Sequence, residues 1–402
     1  MTKRPSYRTA AFVIITGIVA TTLAQPGVLA SLPIRNLLKN ELGLDRTASA
    51  AFLFWIGIAW YLKPFAGIVT DTFPLFGTRR RSYLLISSIL ATLGWLSLTV
   101  TPHTHTALLS VIIGINTFMM LASTVTGGFL VETAQAAAAS GRLTALRQVV
   151  QQACSLVNAP LSGYLAAVAL AWVALASGAI VFLLVPVTIW FLKEPRHPPQ
   201  PLSAVKTQFH TIAQARTMWA AAGLMLLFYI APGASTAIFY KQQNELHMTT
   251  QIQGWIGFTA SIAGVLTALL YGWACERLTL RTLLFIGISV STVINLLYVF
   301  YASIPLAFAI DTLNGFAFTL AELSLMDLAV RATPHGSEGL GYSLMLSVRN
   351  LALFGTDVLG SKLLDSYGWS FNSLVVANSV TTALALPFVF LLPIALVGRR
   401  DA

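Results

Sequence analysis

The sequence predicts an all-α polytopic membrane protein: twelve transmembrane helices in two pseudo-symmetric six-helix bundles. Composition, the length of the apolar runs and an internal repeat carry that prediction. Of 402 residues, 56% are apolar and 9% are charged, whereas soluble domains carry roughly a quarter charged residues. So little charge cannot cover a water-facing surface, so lipid must cover it. Only helices and closed barrels satisfy their backbone groups in lipid, and apolar runs of about 20 residues without strict alternation select helices.

The spans fall near 10–33, 48–70, 82–101, 107–132, 143–168, 172–193, 217–240, 250–274, 282–301, 304–330, 340–364 and 371–397. The first run follows Lys3-Arg4 like a signal peptide, but it is long for one and reads as the first span. Short connections make neighbouring helices antiparallel. With the N-terminus inside, 18 Lys and Arg lie on the cytoplasmic side, Arg147 and Arg349 among them, against 5 outside, with Lys63 within a span. This is the positive-inside pattern. It places both termini in the cytoplasm and explains the +10 net charge without nucleic acid. The expectation is a multi-pass protein of the cell membrane, a bacterial inner membrane, functioning as a monomer in the bilayer. Cys154 and Cys275 read as packing residues, and no metal site or cofactor is expected.

The longest connection divides the chain into a bundle over 1–193, a central cytoplasmic loop over 194–216 and a bundle over 217–402. Within that loop Leu202, Val205, Phe209 and Ile212 recur at helical spacing, the pattern of an interfacial amphipathic helix or of an extension of the next span. The halves answer each other: Pro26-Gly27 with Pro232-Gly233, Asn40-Glu41-Leu42 with Asn244-Glu245-Leu246, Trp55-Ile56-Gly57 with Trp255-Ile256-Gly257, and Gly67 and Asp71 with Gly272 and Glu276. The offsets stay between 200 and 206 and the order is kept. Six spans return the chain to the same side, so the repeat is parallel. That is an architecture of secondary carriers, with a solute site expected between the halves near the midplane.

The candidate site residues are the polar groups that the spans should otherwise exclude. A charge at mid-bilayer costs at least about 2.5 kcal/mol unless paired or hydrated. Asp311, Asn314 and Glu322 share one face of the tenth span, and Ser343, Ser347, Asn350, Asp357 and Ser361 stripe the eleventh beside Arg349. Glu322 and Arg349 lie at similar depth and are expected to pair. Asp311, Glu322 and Asp357 are the candidate proton-coupling carboxylates, Asp311 and Asp357 foremost because neither has an evident basic partner. The fifth span carries Gln148, Gln151, Gln152, Ser155, Asn158 and Ser162 on one side, a stripe that lines a cavity or seals against a neighbour. Candidate solute contacts are Gln25, Lys63, Gln148, Gln151, Asn158, Tyr229, Asn314, Arg349 and Asn350. Trp60, Tyr61, Phe228, Tyr229, Tyr240 and Phe318 offer rings for a planar ligand. Gln25-Pro26-Gly27 and Tyr229 to Gly233 interrupt the first helix of each half, as hinges or as exposed backbone.

The loop after the second span is the richest motif, running from Lys63-Pro64 through Gly67, Asp71, Pro74 and Gly77 to Arg79-Arg80-Arg81. Gly67 permits close helix approach, and Gly67, Asp71, Arg79, Arg80, Glu132 and Arg142 form a candidate cytoplasmic gate. The Gly-to-Asp spacing resembles the major facilitator loop signature. The fuller pattern, with Thr70 and Tyr83 and a second stretch from Pro334, Gly336, Glu338 and Gly339 through Tyr342, Leu344, Met345, Ser347 and Asn350, resembles the BT1 folate–biopterin transporter family across all twelve spans. Thr70 and Ser82 depart from its usual serine and proline. The resemblance implies a major facilitator fold and secondary active, alternating-access transport of a small polar, aromatic or anionic solute of the folate or pteridine kind, with protons as a candidate coupling ion. A carrier for an unrelated solute, a channel, and a non-transporting receptor or intramembrane enzyme are the competing classes. No phosphate-binding loop, HExxH or GxSxG pattern occurs.

Overall fold

The computed structural model describes residues 7–136, 140–196, 202–334 and 338–398, and these are helical with no strand among them. By internal contacts the chain forms two units, one of residues 1–43 and 55–206, the other of residues 44–54 and 207–402.

In the first unit, α1 (Tyr7–Leu23) and α2 (Ser31–Asn40) flank the Pro26-Gly27 interruption; the second span is built in pieces, α3 (Arg46–Ile56), most of which belongs to the second unit, and then α4 (Ile58–Tyr61) and α5 (Lys63–Thr72). Then follow α6 (Arg81–Leu98), α7 (His105–Ala136), α8 (Ser140–Leu165), α9 (Leu170–Phe182), α10 (Leu184–Phe191) and, across the boundary between the units after residue 206, α11 (Leu202–Gln214). The last is the helix that the apolar spacing of the central loop predicts. Val13, Ala20, Leu84, Ala122, Val125 and Leu184 form a buried core joining α1, α6, α7 and α10.

A helix break frees carbonyls that water cannot satisfy in a bilayer. Here neighbours satisfy them. The fully buried Trp95 donates its indole N–H to the Ala24 carbonyl at 3.1 Å. Asn116 bonds the Ile56 carbonyl at 2.8 Å, and the Ser162 hydroxyl accepts the Leu32 N–H at 3.2 Å. Ser162, one end of the polar stripe on the fifth span, therefore holds the broken first span in place.

In the second unit, α12 (Arg216–Tyr229) and α13 (Ser235–Asn244) flank Pro232-Gly233. They are followed by α14 (Thr250–Cys275), α15 (Leu280–Leu296) with a 3-10 turn over Leu297–Phe300, α16 (Ile304–Ala332), α17 (Glu338–Asp365), α18 (Phe371–Ala383), α19 (Leu386–Leu391) and α20 (Ile394–Val397). Thr249 and Ser370 cap α14 and α18 by accepting the N–H groups of Ile252 and Ser373. Residues 44–54 belong to this unit through side chains. Arg46 meets Asp365 at 2.7 Å, Thr47 donates both its N–H and its hydroxyl to the same carboxylate, and Ser49 bonds the Tyr240 hydroxyl.

Among the described residues seven helices are long and apolar enough to cross a membrane: 81–98, 105–130, 170–191, 250–275, 280–300, 304–332 and 371–391; Arg8–Leu23 is a shorter apolar helix. The five remaining predicted spans fall short for two reasons. Breaks divide the first, second and seventh, and polar stripes lower the hydropathy of α8 and α17. Large apolar side chains such as Trp190, Leu269 and Leu391 are at least two-thirds exposed, a surface that suits lipid and not water.

Candidate functional site

Each unit encloses its own cavity, and the two differ in charge. The cavity of the first unit holds about 120 Å³ and is lined by Thr21, Gln25, Trp60, Lys63, Ser123, Thr126, Arg147 and Gln151 among others. Lys63 lies at the N-terminus of α5. Its ammonium is 3.4 Å from the Ser123 hydroxyl and 5.3 Å from the centre of the Trp60 ring. Trp60 is fixed in turn by its N–H bond to Asn116 at 3.1 Å. The Gln25 amide donates to the Thr21 carbonyl at 2.6 Å, so the interruption after α1 presents an amide to the cavity. Arg147, counted above with the cytoplasmic cations, instead lines this cavity with Lys63. Its place was hidden because arginine within a turn or two of a span end ordinarily snorkels outward.

The cavity of the second unit holds about 400 Å³, with Phe228, Tyr229 and Phe318 beside Asn295, Asn314 and Asn378 and the carboxylates Asp311 and Asp357. Asp311 accepts the hydroxyls of Tyr298 at 2.5 Å and Tyr301 at 2.6 Å, with the Gln242 amide at 3.4 Å. Gln242 also donates to the Tyr301 oxygen and accepts from Gln253. A carboxylate in this setting has neutral donors and no cation among the described residues.

Asp357 has a different environment. It accepts the Thr236 N–H at 3.0 Å and the Thr236 hydroxyl at 2.6 Å, at the first turn of α13 where free N–H groups and the helix dipole favour an anion. It caps from another helix the half-span that Pro232-Gly233 creates. The interruption is clamped further, with the Gly233 N–H donating to the Thr356 carbonyl at 2.9 Å and the Asn378 amide to the Pro232 carbonyl at 2.9 Å. A side chain on Gly360 would meet the Gly233 carbonyl at 1.9 Å, so only glycine fits on α17 there.

Glu322 and Arg349 form the expected pair, Nη2 to Oε1 at 2.5 Å, both largely buried. Arg349 also donates to Asn350 at 2.9 Å and lies 5.4 Å from the centre of the Tyr229 ring. The second Glu322 oxygen, Arg349 Nε and the Tyr229 hydroxyl are buried with no protein partner among the described residues, so this cluster retains unused polar capacity. Of the fifth-span stripe, Gln151 lines the first cavity, Ser155 bonds back to the Gln151 carbonyl, and the Asn158 side-chain oxygen is buried with no partner among the described residues. The side chains of Gln148 and Gln152 lie outside the described residues.

At the candidate gate, the side chains of Asp71, Glu132 and Arg142 lie outside the described residues. The anion that is placed is Glu194, which the sequence reading did not single out. Its carboxylate accepts the N–H groups of Arg79, Arg80 and Arg81, each at 2.9 Å, at the start of α6. Its signal was only a lone acid after the sixth span. Arg80 is buried, with its guanidinium over Gly128. Gly67 needs correction as a point of close helix approach: a Cβ there would meet Thr124 at an ordinary 3.9 Å, so the tight glycine near this loop is Gly128.

Comparison with known proteins agrees with this architecture. The model of the BT1 family matches residues 26–401. The "Folate-biopterin transporter" of Synechocystis sp. is 28% identical over 395 residues, covering 91% of this chain and 78% of its own. "Folate transporter 1" of Plasmodium falciparum is 24% identical, covering 91% and 76%. Among solved structures, a D-xylose-proton symporter matches with a TM-score of 0.71 at 14% identity, covering 98% of this chain and 99% of that one. The nucleoside transporter NupG matches with a TM-score of 0.65 at 13% identity, covering 96% and 98%. The likeness to these two is one of fold, the major facilitator fold.

Proposed function

Because the chain belongs to the BT1 family, we propose that it is a secondary carrier that moves a small folate- or pteridine-like solute across the membrane by alternating access. The observation that carries this reading is the cavity of the second unit. Its volume of about 400 Å³ lies in the ~300–1,000 Å³ range of small-molecule sites. A planar heterocycle edged with N–H and C=O groups needs ring faces to stack on and amides to match its edge. Phe228, Tyr229 and Phe318 offer the faces, and Asn295, Asn314 and Asn378 the amides. The names of the relatives above point to the same solute class.

On this reading the three candidate carboxylates divide their work. Asp311 binds the coupling proton, because it lines the cavity and no cation among the described residues fixes it in the charged form. Asp357 is a helix cap and Glu322 the counter-ion of Arg349. The bundles divide at the central loop of residues 194–216, the excess of Lys and Arg on one side supports both termini inside, and the carrier acts as a monomer in a bacterial inner membrane.

Counterflow in proteoliposomes tests the carrier directly. Vesicles preloaded with unlabelled folic acid or biopterin are expected to take up the labelled compound transiently above equilibrium. No counterflow with either compound sinks the folate or pteridine reading, and flux that never saturates points to a channel.

A further inference from the structure

The carboxylates of the first unit are confined to the ends of its helices: Glu41, Asp71, Glu132 and Glu194. No acid occurs in α1, in α8, or in α7 before Glu132. Two cations nevertheless meet in its cavity, Lys63 and Arg147, and no ion pair joins either to a carboxylate among the described residues.

The internal repeat makes this telling. Arg147 and Arg349 lie on the corresponding fifth and eleventh spans at an offset of 202, inside the 200–206 range of the other matches. Arg349 is neutralised by Glu322. Counted back by the same 202 residues, Glu322 corresponds to Met120, a buried apolar side chain. The repeat has kept the arginine and not the acid at the corresponding position, and the second cation, Lys63, adds to the positive charge. Uncompensated cations in a bilayer interior are costly and mark solute or ion paths.

We infer that the Lys63–Arg147 cavity is an anion subsite that receives a compact oxyanion, either a carboxylate carried by the transported solute or a phosphate. Its size fits that role. At about 120 Å³ against about 400 Å³ it is the smaller of the two cavities, suited to a compact group rather than to a whole bicyclic solute. The guanidinium fork and the ammonium supply charge-assisted donors, and Ser123, Gln25 and Gln151 line the same cavity with further donor groups. The solute-carboxylate form of this inference rests on the carrier reading above and specifies its solute: an aromatic compound with an acidic tail is held by that tail in the first unit.

Binding of p-aminobenzoyl-glutamate, p-aminobenzamide and inorganic phosphate to the purified full-length protein, followed by thermal shift, tests the subsite without transport. Wild type is expected to be stabilised by p-aminobenzoyl-glutamate and not by the uncharged amide. Losing a charged hydrogen bond in Lys63→Gln or Arg147→Gln should weaken that binding about tenfold or more. Lys63→Arg and Arg147→Lys should retain most of it, which separates lost charge from lost folding. Protection by phosphate alone keeps the anion subsite and overturns the solute carboxylate. Equal binding by the neutral variants, or no protection by either anion, overturns the subsite. Charge-dependent binding without counterflow of folic acid or biopterin leaves the subsite standing and removes the folate or pteridine reading.

Discussion

The two units are repeats of one design, yet their interrupted first helices are held differently. In the first unit a side chain added at Gly27 would meet nothing within 4 Å. In the second, one added at Gly233 would meet the Asp357 backbone at 2.7 Å, and the adjoining half-helix is capped by the Asp357 carboxylate. The charges differ in the same way. The cavity of the first unit is lined by cations, and that of the second by carboxylates. Duplication supplies two equal frames, and divergence has left one of them open and basic and the other clamped and acidic. A carrier has use for both: one frame to hold an anionic group, the other to bind and release a proton.

The largest effect should come from unbalancing the second unit's buried pair. Glu322→Gln leaves Arg349 uncompensated, and breaking such a pair costs about 3–5 kcal/mol. A lowered melting temperature in detergent is expected, with much of the loss recovered in the Glu322→Gln, Arg349→Met double variant. A double variant no more stable than the single ones would show that the two residues are not coupled.

Next comes the clamp. Gly360→Ala drives a methyl group into the Gly233 carbonyl, and overpacking of this kind costs roughly 1–3 kcal/mol. Gly27→Ala should be near neutral in the same melt. Equal destabilisation by the two would erase the contrast between the repeats.

The smallest effect falls on the cap. Asp357→Ala removes the acceptor of two Thr236 bonds, a loss of about 0.5–2 kcal/mol for a helix cap. Asp357→Asn keeps an acceptor and should recover part of it. If Asp357 were instead the coupling residue, Asp357→Asn would abolish accumulation while leaving stability intact.

Much of this was legible in the sequence. Composition and run length give helices in lipid, and the doublets Pro26-Gly27 and Pro232-Gly233 locate both interruptions. Glu322 and Arg349 could be paired from depth alone, because helical rise converts sequence position into depth. The partners of Asp311 could not be found in this way. Tyr298 and Tyr301 reach it across a turn from the preceding helix, and Gln242 comes from 69 residues away, a juxtaposition that no periodicity encodes. Asp357 read as a free acid because a cap supplied from a different helix leaves no local signature. Arg147 was misread because the positive-inside count weighs position along the chain and not the direction of the side chain.

The central claim is that the acidic unit couples transport to protons through Asp311. The most direct measurement compares wild type with Asp311→Asn in proteoliposomes, scoring accumulation of labelled folic acid under an imposed pH gradient against counterflow without one. The account predicts that the variant loses accumulation and keeps counterflow. Accumulation by Asp311→Asn at the wild-type level would contradict it.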